Sequence, residues 1–198
     1  MTKSAGRPPL SETDIQEFRA RVATHAMSIY REDGFDAVSM RRLSKAVGCA
    51  PTTLYAHFAG KTEILMLLWA EVLSDMEGHV RACLKGRTEP ADRLREAALA
   101  FVTYWVDHPE HFRLVFMSNN VGRSEVDSFI ESGNIENGFE IFRNLIRDLD
   151  PGCEDANVKS ETLVAGMIGL AMCLNTISNY PWPTLSQMTR QLLSGTIS

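Results

Sequence analysis

The sequence predicts an all-α fold of about nine helices, a helix-turn-helix three-helix head at the N-terminus followed by a longer helical body. Three observations predict it. Apolar residues recur at three- and four-residue steps along almost the whole chain, strand-like alternation is absent, and Gly or Pro punctuates the pattern at helix-length intervals. No internal repeat or low-complexity tract interrupts it.

The composition fits a folded domain. In 198 residues, 44% are hydrophobic and 23% charged, which excludes a disordered chain. The opening decapeptide MTKSAGRPPL is basic and contains Pro, with no apolar run of the signal-peptide kind, so the protein is expected to be cytoplasmic. Cys49, Cys83, Cys153 and Cys173 are scattered without a CxxC unit, as expected of reduced thiols.

Taking the elements in order, residues 1–10 read as a flexible basic arm, with Lys3 and Arg7 as its cations. Ser11 opens the first helix by capping the amide of Asp14, and Ile15, Phe18, Val22, Ala26 and Ile29 form its core-facing stripe. Gly34 ends it. Ser39 caps a short helix, Met40–Val47, with Met40, Leu43 and Val47 inward. Gly48 supplies a turn, and Pro51 starts a second short helix, Pro51–Phe58, where a first helical residue loses no hydrogen bond. Two helices this short need neighbours to pack on.

A long amphipathic helix, Thr62–Leu84, follows with Ile64, Leu65, Leu68, Val72, Met76 and Val80 on one side. Further helices are expected over Ala91–Asp107, Pro109–Met117, Ser124–Leu149, Ala156–Asn179 and Thr184–Thr196, with Gly133 and Gly138 as candidate interruptions of the third. The organisation is therefore an arm (1–10), a head (11–61) and a body (62–198).

Charge is distributed unevenly. Residues 1–61 carry nine Lys/Arg against six Asp/Glu, a net +3, which leaves −8 for the rest of a chain of net charge −5. A basic head on an acidic body suits local phosphate contact. A short helix, a Gly turn and a second short helix is also the plan that lays its second helix in the major groove. On that helix Thr52 and Thr53 offer small hydroxyls and methyls to base edges, while Tyr55, His57 and Lys61 offer donors to phosphate. Ser39 and the amides behind it can hold another phosphate. Arg41, Arg42 and Lys45 lie off the apolar stripe. Each has a plainer alternative: Tyr55 as packing, His57 as a brace, Arg41 and Arg42 as a solvated face.

The stretch Gly34–Leu65, GFDAVSMRRLSKAVGCAPTTLYAHFAGKTEIL, resembles the DNA-binding signature of TetR/AcrR transcriptional regulators. Gly34, Phe35, Ser39, Leu43, Ala46, Gly48, Leu54, Tyr55, His57, Phe58 and Lys61 carry the resemblance. It implies a homodimeric DNA-binding regulator, with Ser39, Tyr55 and Lys61 as phosphate anchors and Thr52 and Thr53 facing bases. Pro51 departs from the polar residue common there in relatives, leaving fewer long side chains for base readout and more weight on thymine methyls, Arg41 or DNA shape.

In the body, Leu163–Leu174 is an apolar run of 12 residues. A membrane span needs about 20, so a helix buried on more than one side is expected. The resemblance implies that the last two helices pair with those of a second copy, with Gly166, Gly169, Leu170, Leu174, Leu185, Met188 and Leu192 as candidate interface residues. It also implies an effector site in the body, for which Phe101, Trp105, Phe112, Phe116, Phe139, Phe142 and Met167 are candidates; core packing is the alternative for each. An apolar small-molecule effector that releases a repressor from a palindromic operator is the expected mechanism, with the helix from Thr62 as lever.

No cofactor-binding motif is visible. His108 and His111 are two metal-type ligands without a third, so no metal site is expected. Without a nucleophile–base pair at recognisable spacing, an enzyme or ligand carrier with a relic head is the minor alternative, as is a DNA-binding scaffold that senses nothing.

Overall fold

The computed structural model describes residues 11–117, 136–177 and 179–195. Within them lie α1 (Glu12–Asp33), a 3-10 turn (Phe35–Ala37), α2 (Met40–Val47), α3 (Pro51–His57), α4 (Lys61–Cys83), α5 (Pro90–Asp107), α6 (Pro109–Phe116), α7 (Glu136–Leu149), α8 (Ala156–Thr176) and α9 (Leu185–Ser194). The chain divides into two compact units, one through Leu68 and one from Trp69.

In the first unit, α1 starts in a reciprocal cap. The Ser11 hydroxyl accepts from the Asp14 amide at 3.1 Å, and the Asp14 carboxylate accepts from the Ser11 amide at 3.0 Å. Val22, Ala23, Ala26 and Ile29 bury its inner face, joined by Val38, Met40, Leu43, Leu54 and Phe58. The chain leaves α1 through Gly34 at φ 78° into the 3-10 turn, a detail that the periodicity of the sequence does not carry.

In the second unit α5 is central. Leu94, Ala97, Ala98, Phe101, Val102 and Trp105 are buried, and the helix packs against α6, α7, α8 and α9. Trp69 on α4 donates its indole N–H to the Leu114 carbonyl at 2.8 Å, fixing α6. Helix α7 presents Ile141, Phe142, Leu145 and Ile146 inward. Its expected first half, 124–135, lies outside the described residues. The Pro-Trp-Pro segment shortens the last two helices relative to expectation, as α8 stops at Thr176 and Thr184 acts as the cap of α9 instead of its first residue.

The apolar run on α8 divides into two faces. Leu163, Val164, Met167 and Ala171 are buried, while Ala165, Gly169 and Met172 are exposed, Met172 at 50%. Burial on more than one side is therefore not achieved within a single chain. At Gly166 the backbone is so close to α9 that an added Cβ would lie 2.6 Å from Leu192 Cδ1. The close approach expected there is made by a helix of the same chain. At Gly169 nothing of the described chain comes within 4 Å of such a Cβ. Among the described residues no helix is long and apolar enough to cross a membrane.

Candidate nucleic-acid interface

The site begins with two caps and a glycine. Ser39 closes the N-terminus of α2 by accepting from the Arg42 amide at 3.3 Å, which leaves its own O–H to donate outward. Gly48 ends α2 at φ 77°, ψ 34°, a left-handed conformation that glycine takes without a steric penalty. The amides of Gly48 and Cys49 both donate to the Ser44 carbonyl, at 3.0 and 2.9 Å, and the chain reverses. Pro51 then begins α3.

Of the seven residues of α3 only Leu54 is fully buried, with Phe58 closing the core just beyond the helix. Pro51, Thr52, Thr53, Tyr55 and Ala56 are exposed, Tyr55 at 57%. A helix whose single deep anchor is Leu54 thus offers hydroxyls, a phenol and methyls to the outside. Arg41 and Lys45 are exposed on α2.

Three of the expected contacts are otherwise engaged. Arg42 pairs with Asp33. The ring of His57 stands 4.8 Å from that of Phe18 and is half-buried, which matches its plainer role as a brace. Lys61 places its ammonium 3.9 Å above the ring of Phe35, a cation–π contact that positions the charge at the start of α4.

A clamp that sequence reasoning missed holds these pieces in register. Arg19 donates to the His57 carbonyl at 2.9 Å and to the Glu63 carboxylate at 3.0 Å, with its guanidinium 4.5 Å over the Phe58 ring. Glu63 in turn accepts from the Ala59 amide at 2.7 Å. The arginine thereby ties α1 to the turn between α3 and α4. Its partners lie 38 and 44 residues away, so no local pattern points to it.

In the second unit, the candidate effector residues Phe101, Trp105, Phe112, Phe142 and Met167 are at most 1% exposed. Trp105 meets Phe112 at 6.1 Å and Phe116 at 5.0 Å, both edge-on, in a packed aromatic cluster. Phe116 and Phe139 are half-buried. The indole N–H of Trp105 is buried with no hydrogen-bond partner among the described residues. An apolar groove of Leu170, Pro183, Met188 and Leu192, rimmed by Gln187 and Gln191, brings together three of the candidate interface residues. Leu174 and Leu185 are half-buried and outside that groove.

Residues 24–66 match the family model of the bacterial regulatory proteins, tetR family. The transcriptional activator FasR of Mycolicibacterium smegmatis is 26% identical over 110 residues, 56% of this chain and 50% of FasR. The transcriptional regulator UidR of Escherichia coli K12 is 32% identical over 96 residues, 48% of this chain and 43% of UidR. The chain thus spans about half the length of the curated relatives it matches. In fold, it is similar to the fatty acid degradation regulator FadR of Bacillus halodurans, with TM-score 0.68 at 12% identity over 98% of this chain and 97% of that one. A TetR/AcrR-family regulator of Thermobifida fusca gives 0.64 at 18% over 90% and 98%.

Proposed function

We propose that this chain, whose N-terminal head belongs to the tetR family of bacterial regulatory proteins, is a dimeric, cytoplasmic regulator of transcription that binds a palindromic operator and is released by a small molecule. The observation that carries the reading is the exposed face of α3. Thr52, Thr53 and Tyr55 stand outward from the Leu54 anchor, behind a left-handed glycine turn and beside the Ser39 cap. On DNA, Thr52 and Thr53 meet base edges and thymine methyls, and Ser39, Tyr55 and Lys61 hold phosphates. Arg41 adds charge, whereas Arg42 must first leave Asp33 and His57 mainly supports the helix.

The dimer reading rests on α8 and α9. Exposed Met172 and Gly169 and the groove around Leu170, Met188 and Leu192 leave apolar surface that a second copy would cover. Two recognition helices related by a twofold axis require half-sites about one DNA turn apart or somewhat more.

The effector reading rests on the aromatic cluster around Trp105. Its orphaned N–H suits an apolar molecule that carries one hydrogen-bond acceptor, since an unmade buried bond costs about 1–3 kcal/mol. Release requires a coupling of about 1–3 kcal/mol between effector and DNA, transmitted along α4.

Selection of bound sequences from random duplex DNA with the purified protein tests the proposal. A palindromic consensus is the expected outcome. The absence of any enrichment at low salt, with protein freed of copurified ligand by refolding, would overturn it.

A further inference from the structure

We propose that the cleft between the N-terminal halves of α5 and α9 binds a small phosphate monoester, at a site separate from the aromatic cluster around Trp105. The cleft has a volume of about 280 Å³, at the small end of ligand sites. Its wall is polar, unlike the groove of Leu170 and Met188 on the other side of α9. Helix α5 supplies Asp92, Arg95, Glu96 and Leu99, whose spacing keeps them on one face. Helix α9 supplies Ser186, Thr189 and Arg190 in the same way, and Arg87 joins them from the connection after α4.

Two of the three arginines are already fixed. Arg87 stands 3.0 Å from the Glu96 carboxylate and donates through Nε to the Cys83 carbonyl at 3.2 Å. Arg95 pairs with Asp92 through Nη1. These bonds position both guanidinium groups and neutralise the two acids of the cleft. A guanidinium carries five N–H donors, so each arginine keeps some of them for a ligand. Arg190 pairs with no carboxylate among the described residues and leaves the cleft with a net positive charge. Thr189 is the most buried of these side chains, at 2% exposed, and its hydroxyl has no hydrogen-bond partner among the described residues. A helical threonine commonly donates to the carbonyl one turn back. Thr24 and Thr176 do so here, at 3.0 and 2.6 Å, and Thr189 does not. A buried hydroxyl left over in an arginine-lined cleft suits an anionic oxygen that accepts its hydrogen. Two χ1 rotamers are open to threonine in a helix, which lets that hydroxyl follow the ligand.

The donors set the class of ligand. Guanidinium groups on α5, on α9 and on the preceding connection, with the hydroxyls of Ser186 and Thr189, call for an acceptor with several oxygens. A phosphate monoester presents three, and arginine forks match them in pairs. A carboxylate presents only two. The first turns of α5 and α9 reach the cleft at Asp92 and Ser186, where the partial positive charge of a helix start also favours an anion. Leu99 gives the organic part of the ester an apolar wall.

The test uses no DNA, so its outcome is independent of the regulator reading. Full-length protein is titrated with glycerol 3-phosphate by calorimetry, in chloride buffer at constant ionic strength. One site per chain is expected, with succinate bound about tenfold more weakly or worse. Arg190→Ala should weaken binding about tenfold, the scale of a lost hydrogen bond to a charged group. Thr189→Val keeps the shape of the side chain, removes the hydroxyl and should weaken binding about threefold or more. Arg113→Ala, which removes an exposed arginine outside the cleft, should leave the affinity unchanged. Phosphate held by the head alone would be insensitive to Arg190. No saturable binding, succinate bound as tightly, full affinity in Thr189→Val, or a loss in Arg190→Ala no larger than in Arg113→Ala would overturn the proposal.

Discussion

Thr53 is exposed while its neighbour Leu54 is fully buried, so its side chain can be changed without touching the core. Thr53→Ala should alter the base preference of the selected sequence at one or two positions and leave the salt dependence of binding unchanged. Tyr55→Phe combined with Lys61→Ala should do the reverse. Binding to every sequence weakens, and the slope of log affinity against log salt becomes shallower by about 0.9 for the one phosphate that Lys61 no longer neutralises. Filter binding across a salt series distinguishes the two outcomes. Glu71 on α4 makes a different prediction at this scale. Burial first, and the charge of Asp75 second, raise its carboxyl above the ordinary value of 4.5. With the folded-state value raised, ionised Glu71 costs stability above that value, and the cost disappears as pH falls below the ordinary carboxylate range. Glu71→Gln should therefore raise Tm at pH 7, with the gain fading toward pH 4 in thermal melts.

Gly166 decides the packing of two helices. An Ala there gains about 1 kcal/mol of helix propensity, and the obstructing atom is the end of the flexible Leu192 side chain, 2.6 Å from the new Cβ. The two effects oppose each other, so Gly166→Ala should be close to neutral. Gly166→Val overfills the contact and should cost about 1–3 kcal/mol in denaturant melts. Leu192→Ala should be less damaging when combined with Gly166→Val than alone, a double-mutant cycle that isolates the contact between α8 and α9. The head offers a parallel lesson. Helices of eight and seven residues, α2 and α3, cannot persist alone. Leu43, Leu54 and Phe58 bury them, and Arg19 with Glu63 holds the turn after α3 in place.

For the whole molecule, charge is divided unevenly, with a net +3 over residues 1–61 and −8 over the remainder, which suits phosphate contact in the head and leaves the apolar surface of α8 for the dimer proposed above. Met172 is half-exposed on a helix whose opposite face is core, so a charge there spares the fold of one chain while burdening a dimer. Met172→Asp should convert a dimer into a monomer in sizing with light scattering, since an uncompensated buried charge costs about 3–5 kcal/mol. Operator binding should fall with it, because each head then meets only one half-site. Unchanged mass and unchanged binding would place the dimer contact elsewhere.

Local structure is legible in the residues alone. Helix period, caps at Ser11 and Ser39, the Gly48 turn and the exposed hydroxyls of Thr52 and Thr53 all follow from residues within one or two turns of each other, where spacing dictates contact. The tertiary structure decided what depends on residues far apart in the chain. It committed Arg42 to Asp33, seated His57 on Phe18, and gave Arg19 partners beyond Glu12–Asp33, its own helix. It brought Leu192 onto Gly166, and left one face of the apolar run on α8 uncovered. Side-chain chemistry is written in the sequence, but which atoms face one another is set by packing.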